Sequence, residues 1–166
     1  MNLKDIPDSF GDIMSHRETC VELPKDFLPL ERILLTANGN VQRILSAYFN
    51  TKVSVEIISN IQILSTKKEQ VFDRKVELRI YDQSTIVCEA FSQITITDPH
   101  ILDLILNQGI AIGQLFRYLN ILPQFKLLQV GRSNESFWRN YTLSASGIHC
   151  EIKEIFIRSC FNQALL

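Results

Sequence analysis

Two charged residues in this chain fall in phase with apolar ones. Along "CEIKEIFIRS", Cys150 to Ser159, strand alternation puts Ile148, Cys150, Ile152, Glu154 and Phe156 on one face. His149, Glu151, Lys153, Ile155 and Ile157 take the other, so Glu154 points with the apolar set. Along "FDRKVELRI" the same alternation groups Arg74 with Phe72, Val76, Leu78 and Ile80. A lone buried charge is costly, so each of these residues needs a partner or a ligand. One reading is structural: Arg74 and Glu154 pair with each other, or sit at the sheet edge and reach water. The other is a polar centre inside an apolar cavity, as a small-molecule site would have. There Arg74 would grip a carboxylate with its planar fork of donors. A desolvated Glu154 would hold its proton more tightly and serve as a general acid, with a nearby Arg74 opposing that effect.

Further cations with a possible inward role are Arg132 in "VGRSN" and Arg139 in "FWRNY"; Arg139 is in phase with Tyr141 and Leu143. The alternative for both is a solvated loop arginine. Other chemistries lack their residues. Cys20, Cys88, Cys150 and Cys160 show no CxxC spacing, and His16, His100 and His149 form no HExxH pattern. Neither a metal site nor a bound cofactor is expected, and the cysteines read as reduced thiols. The strings "GNVQ" and "QGIAIG" are not phosphate loops, and no Ser or Cys sits in a nucleophile elbow. With 17 Lys and Arg against 18 Asp and Glu, there is no electrostatic case for nucleic acid or an anionic membrane. No run approaches the roughly 20 apolar residues of a membrane span. The start "MNLKDIPDSFGDIM" has neither signal-peptide nor transit-peptide character, so the protein is expected to act where it is made.

Positioning these residues takes a sheet. The 166 residues suit one domain, 1–166, with an irregular N-terminal segment over 1–26. "LPLERILLTANGNVQRILSAYFN" reads as two short helices, with Pro29 in a first turn and Asn38-Gly39 as the break. "KVSVEIISNIQIL" alternates as a long half-buried strand, with Val53, Val55, Ile57, Ser59, Ile61 and Ile63 on one face. A hairpin follows around "DQS". A second helical pair begins at the cap Asp98 and Pro99, with Gly109 closing its first helix and Gly113 early in its second. Three more strands lie in "FKLLQVGR", "RNYTLSAS" and "IHCEIKEIFIR". The pattern predicts α+β architecture: an antiparallel sheet of about six strands with two helical hairpins inserted.

The order and spacing of "RILLTANGNVQRILSAYFNTKVSVEI", "RKVEL", "LNQGIAIGQLF", "VGRSNESFWRN" and "KEIFI" resemble the chorismate pyruvate-lyase family, in its cyanobacterial and plastid branch. The resemblance covers roughly residues 28–158. It implies a cofactor-free, monomeric lyase that turns chorismate into 4-hydroxybenzoate and pyruvate for quinone synthesis. The implied location is the plastid stroma for a plastid-encoded chain, the cytoplasm otherwise. It also implies a six-stranded antiparallel sheet whose site is covered by two helical-hairpin lids, at about 29–49 and 98–120, both opening for substrate. On this resemblance Arg74 binds the ring carboxylate and Glu154 lies near the departing ether oxygen. Ile112, in "AIG", offers backbone to the product, as does lid backbone near Asn40 and Val41. Phe91 stands where the enterobacterial enzymes carry a further arginine, which leaves Arg132 or Arg139 to supply the second carboxylate contact. Rival readings are a non-catalytic sensor of an aromatic acid, and a structural protein in which Arg74 and Glu154 pair.

Overall fold

The alternating runs of the sequence are strands, and they join one sheet. In the computed structural model, residues 4–5, 13–14, 19–82, 84–108, 110 and 112–161 are described. In chain order the elements are β1 (Lys4–Asp5), β2 (Ile13–Met14), β3 (Thr19–Cys20), α1 (Pro29–Thr36), α2 (Val41–Phe49), β4 (Ser54–Ser65), β5 (Gln70–Ile80) and β6 (Thr85–Ile96). Then come α3 (Pro99–Leu106), α4 (Ile112–Tyr118), β7 (Gln124–Arg132), β8 (Ser136–Ala145) and β9 (Ile148–Ile157). The sheet order is β1-β7-β8-β9-β6-β5-β4 and every pairing is antiparallel. Six long strands thus make the sheet expected from the pattern. The N-terminal stretch, expected to be irregular, adds two residues to the open edge of β7 and pairs β2 with β3. An edge strand offers unpaired backbone groups to any extended neighbour, whatever its side chains.

Local signals set the helix ends. Pro29 opens α1, and Gly39 at φ +80° turns the chain into α2. The Asp98 carboxylate accepts from the backbone N–H groups of His100 (2.8 Å) and Ile101 (3.4 Å), which starts α3. Gly109, expected to end that helix, lies outside the described residues. Each helix buries one apolar side: Leu34 and Leu35, Val41 and Leu45, Ile101 and Leu104, Leu115 and Phe116. These side chains form a single core with one face of the sheet, where Phe137, Tyr141 and Leu143 of β8 meet Ile148, Cys150, Ile152 and Phe156 of β9. No helix among the described residues is long and apolar enough to cross a membrane.

One strand departs from its pattern. β4 was expected to be half-buried throughout, yet Ile57, Ile61 and Ile63 are exposed, Ile61 by 60%. Bulges between Ile57 and Ser59 and between Gln62 and Leu64 shift the register against β5. After the first bulge Asn60 stands opposite Arg74 and Gln62 opposite Phe72, so the apolar set loses the inner face. β4 is also the sheet edge, where less surface is available to cover it.

The core holds thiols that should govern alkaline stability. Burial pushes Cys150 from 9.0 up to about 12, against an opposing pull from Arg74. A thiol kept neutral in the fold but ionising near 9 in the unfolded chain stabilises fully below that pH, and the benefit disappears as pH rises toward 12. Unfolding free energy is therefore expected to fall above about pH 9, with a slope approaching about 1.4 kcal/mol per pH unit for each such thiol. Cys150→Ala should make that fall shallower, and an unchanged slope in urea titrations at pH 8 to 11 (about this range) would contradict the assignment.

Candidate functional site

Register across β5, β6, β9 and β8 aligns the inner-face residues in rows. One row runs Arg74, Ser92, Ile152, Tyr141, and the next runs Val76, Ala90, Glu154, Arg139. Arg139 is therefore the direct cross-strand neighbour of Glu154. Arg74 sits two strands away and one inward position along, roughly 12 Å between Cα atoms by standard strand spacing and rise.

Glu154 is held by its own row and the next. Arg139 Nε donates to Oε2 at 2.7 Å, and the Tyr141 hydroxyl donates to Oε1 at 2.7 Å. Both carboxyl oxygens thus accept a hydrogen bond from a side chain. Burial disfavours the charge of Arg139, but the adjacent Glu154 carboxylate, together with Tyr141 and Cys88, outweighs it and the net shift is upward. Burial, reinforced by Glu154, holds the Tyr141 hydroxyl well above its usual 10.0, so it stays a donor. Arg139 Nη1 also donates to the carbonyls of Leu35 (3.1 Å) and Ala37 (2.6 Å). A cation suits the C-terminal end of α1, where carbonyls lack helical partners. Arg139, fully buried, is thus a strut from the sheet to the first helical pair.

Arg74 has no such arrangement. Five charged side chains are buried among the described residues: Glu31, Arg74, Glu77, Arg139 and Glu154. Glu31 pairs with Arg132, Glu77 with Arg79 (2.9 Å from Nε) and Glu154 with Arg139. The side chain of Arg74, a residue only 6% exposed, makes no hydrogen bond or ion pair with any described residue, and its Nε is enclosed without an acceptor. Burial weakens its hold on its proton, with Cys150 opposing, yet a guanidinium remains charged in proteins. The expected structural pair of Arg74 with Glu154 is absent; Arg139, nearer by register, takes the carboxylate.

Arg74 lines a cavity of about 890 Å³ between the sheet and the two helical pairs. Glu154, Arg139, Ile112, Asn40 and Val41 line it too, so six of the seven residues singled out from sequence meet there. Arg132 does not. Its Nε donates to both oxygens of buried Glu31, at 2.7 and 2.9 Å, and so fixes α1 to β7. Phe91 is not a lost ligand either: it is on the outer face, 40% exposed, opposite Lys75, whose ammonium lies 5.3 Å from the ring centroid. Strand phase turns any side chain at 91 away from the cavity, where Ala90 and Ser92 are the inward neighbours. Reading the sequence missed Ser92, the bond from Tyr141 to Glu154, and three cations at the cavity: Arg43, Lys52 and Arg117. Tyr141 was in phase and could have been found; the exposed cations carry no periodic signal.

The two lids are attached differently. The first helical pair is tied by Glu31–Arg132, by Arg139 to Leu35 and Ala37, and by Gln42 Nε2 donating to the Val53 carbonyl at 2.9 Å. Among the described residues no side-chain hydrogen bond or ion pair joins residues 98–120 to the rest of the chain; their side-chain bonds are local, such as Asn107 to Asp103 and Asp98 to the start of α3. The first wall is thus held to the sheet by polar side-chain ties, and the second by apolar packing and its backbone ends.

Opposite stability effects are expected from the two inner arginines. Arg139→Met strands the Glu154 carboxylate and should cost roughly 3 kcal/mol or more, whereas Arg74→Met removes an unneutralised cation and should stabilise by roughly 1 kcal/mol. Urea unfolding of both variants reads this directly, and a destabilised Arg74→Met would contradict the unpartnered state. In comparisons with known proteins, no family model and no curated protein matches this chain, so the site stands on its own geometry.

Proposed function

We propose that this protein is a cofactor-independent chorismate pyruvate-lyase, forming 4-hydroxybenzoate and pyruvate. The observation that carries the reading is the buried, unpartnered Arg74 guanidinium facing a cavity of about 890 Å³. Such a cation calls for an anion, and its planar fork fits a carboxylate. The cavity volume is within the ordinary range for small-molecule sites. The motifs that resemble the lyase family supply the choice among aromatic acids.

In this reading the ring carboxylate of chorismate docks on Arg74. The C3–O bond to the enolpyruvyl group breaks, the proton on C4 leaves, and the ring becomes aromatic. Glu154, oriented by Arg139 and Tyr141, accepts the C4 proton and returns it to the departing enolpyruvate, which ketonises to pyruvate. No atom or electron is left over. Aromatisation drives the reaction, so the protein supplies position, charge neutralisation and exclusion of water. The second helical pair acts as the gate, and its opening limits release of a product that keeps the ring and the carboxylate. The plastid stroma or the cytoplasm is the proposed setting, as the resemblance implies.

One observation favours a second reading, an aromatic-acid-binding domain without catalysis. Both Glu154 oxygens already accept hydrogen bonds, which leaves fewer lone pairs for a proton. Purified protein with chorismate, followed for 4-hydroxybenzoate, separates the two. Turnover is expected, with Arg74→Ala and Glu154→Gln each slower by roughly a hundredfold or more. Binding of 4-hydroxybenzoate without turnover would favour the sensor, and neither binding nor turnover would overturn both.

A further inference from the structure

The cavity is more cationic than its inner site requires. Its lining holds Arg43, Lys52, Arg74, Arg117 and Arg139 against a single carboxylate, Glu154. Arg139 neutralises that carboxylate, so four cations remain. The whole chain carries a formal net charge of −1, so this excess is a local feature of the cavity. One of the four, Arg74, lies inside. Arg43 on α2, Lys52 in the connection to β4 and Arg117 on α4 are exposed, and none pairs with an acid among the described residues. They come from three places in the chain and from both helical pairs, yet they border one opening.

We propose that Arg43, Lys52 and Arg117 form a second anion-binding point at the mouth of the cavity, so that it selects small ligands carrying two anionic groups. This deepens the functional reading above and rests on the same cavity. The inner group of such a ligand occupies Arg74, deep in the cavity, where the fork of donors fixes orientation. The outer group, on an arm of the ring, stays near solvent among the three mouth cations, where its attraction is weaker and screened by salt. Three like charges around one opening repel, and an anion between them relieves that repulsion. Because Arg117 belongs to the helical pair without polar ties and Arg43 to the tied one, the outer anion also bridges the loose wall to the fixed wall. A monoanion gains only the inner contact.

Calorimetric titration with benzoate and with benzene-1,3-dicarboxylate tests the assignment. The native protein should bind the dicarboxylate more tightly than benzoate, and added salt should shrink the difference. In the triple variant Arg43→Gln, Lys52→Gln, Arg117→Gln the dicarboxylate should weaken by roughly tenfold, the size expected of three exposed ion pairs acting together, while benzoate binding holds. If the triple variant fails to fold, each single variant should lose part of the preference. A preference that survives in the variants, or a native protein that binds the two acids equally, overturns the proposal. Chorismate turnover is read separately: lost turnover with an intact dicarboxylate preference removes the lyase and keeps the mouth, whereas turnover without the preference does the reverse. A native protein that binds neither acid overturns both.

Discussion

Arg74 brings a positive charge to the inner face of a sheet, and among the described residues the other buried charges each have an oppositely charged partner. Glu31, Glu77 and Glu154 each have an arginine, and Arg139 has both a carboxylate and two carbonyls. Burying a cation without a counter-charge works against folding, and a methionine of similar length would fill the same space without that cost. On the proposed reading, that cost is offset by an anion that binds there. The cavity volume and the guanidinium geometry support the proposed reading of a small, carboxylate-bearing ligand.

The rest of the site can be understood as what keeps Arg74 free. Had Glu154 reached it, the two would have closed on each other and the cavity would have no anion receptor. Register prevents that, because β9 lies between β8 and β6, which places Arg139 directly across from Glu154 and leaves β6 between the carboxylate and Arg74. Tyr141 takes the remaining carboxylate oxygen. The same Arg139 anchors the end of α1, so the group that occupies Glu154 also fixes one wall of the chamber. The opposite wall, α3 and α4, is fastened to the sheet by the apolar side chains of Ile101, Leu104, Leu115 and Phe116. Apolar contacts slide more easily than charged ties break, and a chamber that must admit and release a ligand needs one such wall.

Much of this was legible in residue order. Alternation alone turned Arg74, Glu154 and Arg139 inward, and Pro29, Gly39 and Asp98 marked the helical pairs. What alternation does not contain is lateral order. Strands β5 and β9 are far apart in sequence, and phase says only that two residues share a face, not how many strands separate them, so the partner of Glu154 was open until the sheet order was known. Bulges are equally silent: one extra residue near Ile58 turned an apparently buried set outward along β4. Arg132 misled because a loop-like "VGRSN" hides a buried partner, Glu31, 101 positions away. Phe91 misled for a simpler reason: strand phase turns position 91 to the outer face.

The central claim is that Arg74 is an anion receptor within the chamber. A crystal structure with 4-hydroxybenzoate bound tests it most directly. The carboxylate should lie within hydrogen-bonding distance of the Arg74 guanidinium, with the ring between Ile112 and the Glu154–Tyr141 pair. A ligand seated elsewhere, or Arg74 turned away to pair with an acid of the chain, would contradict it.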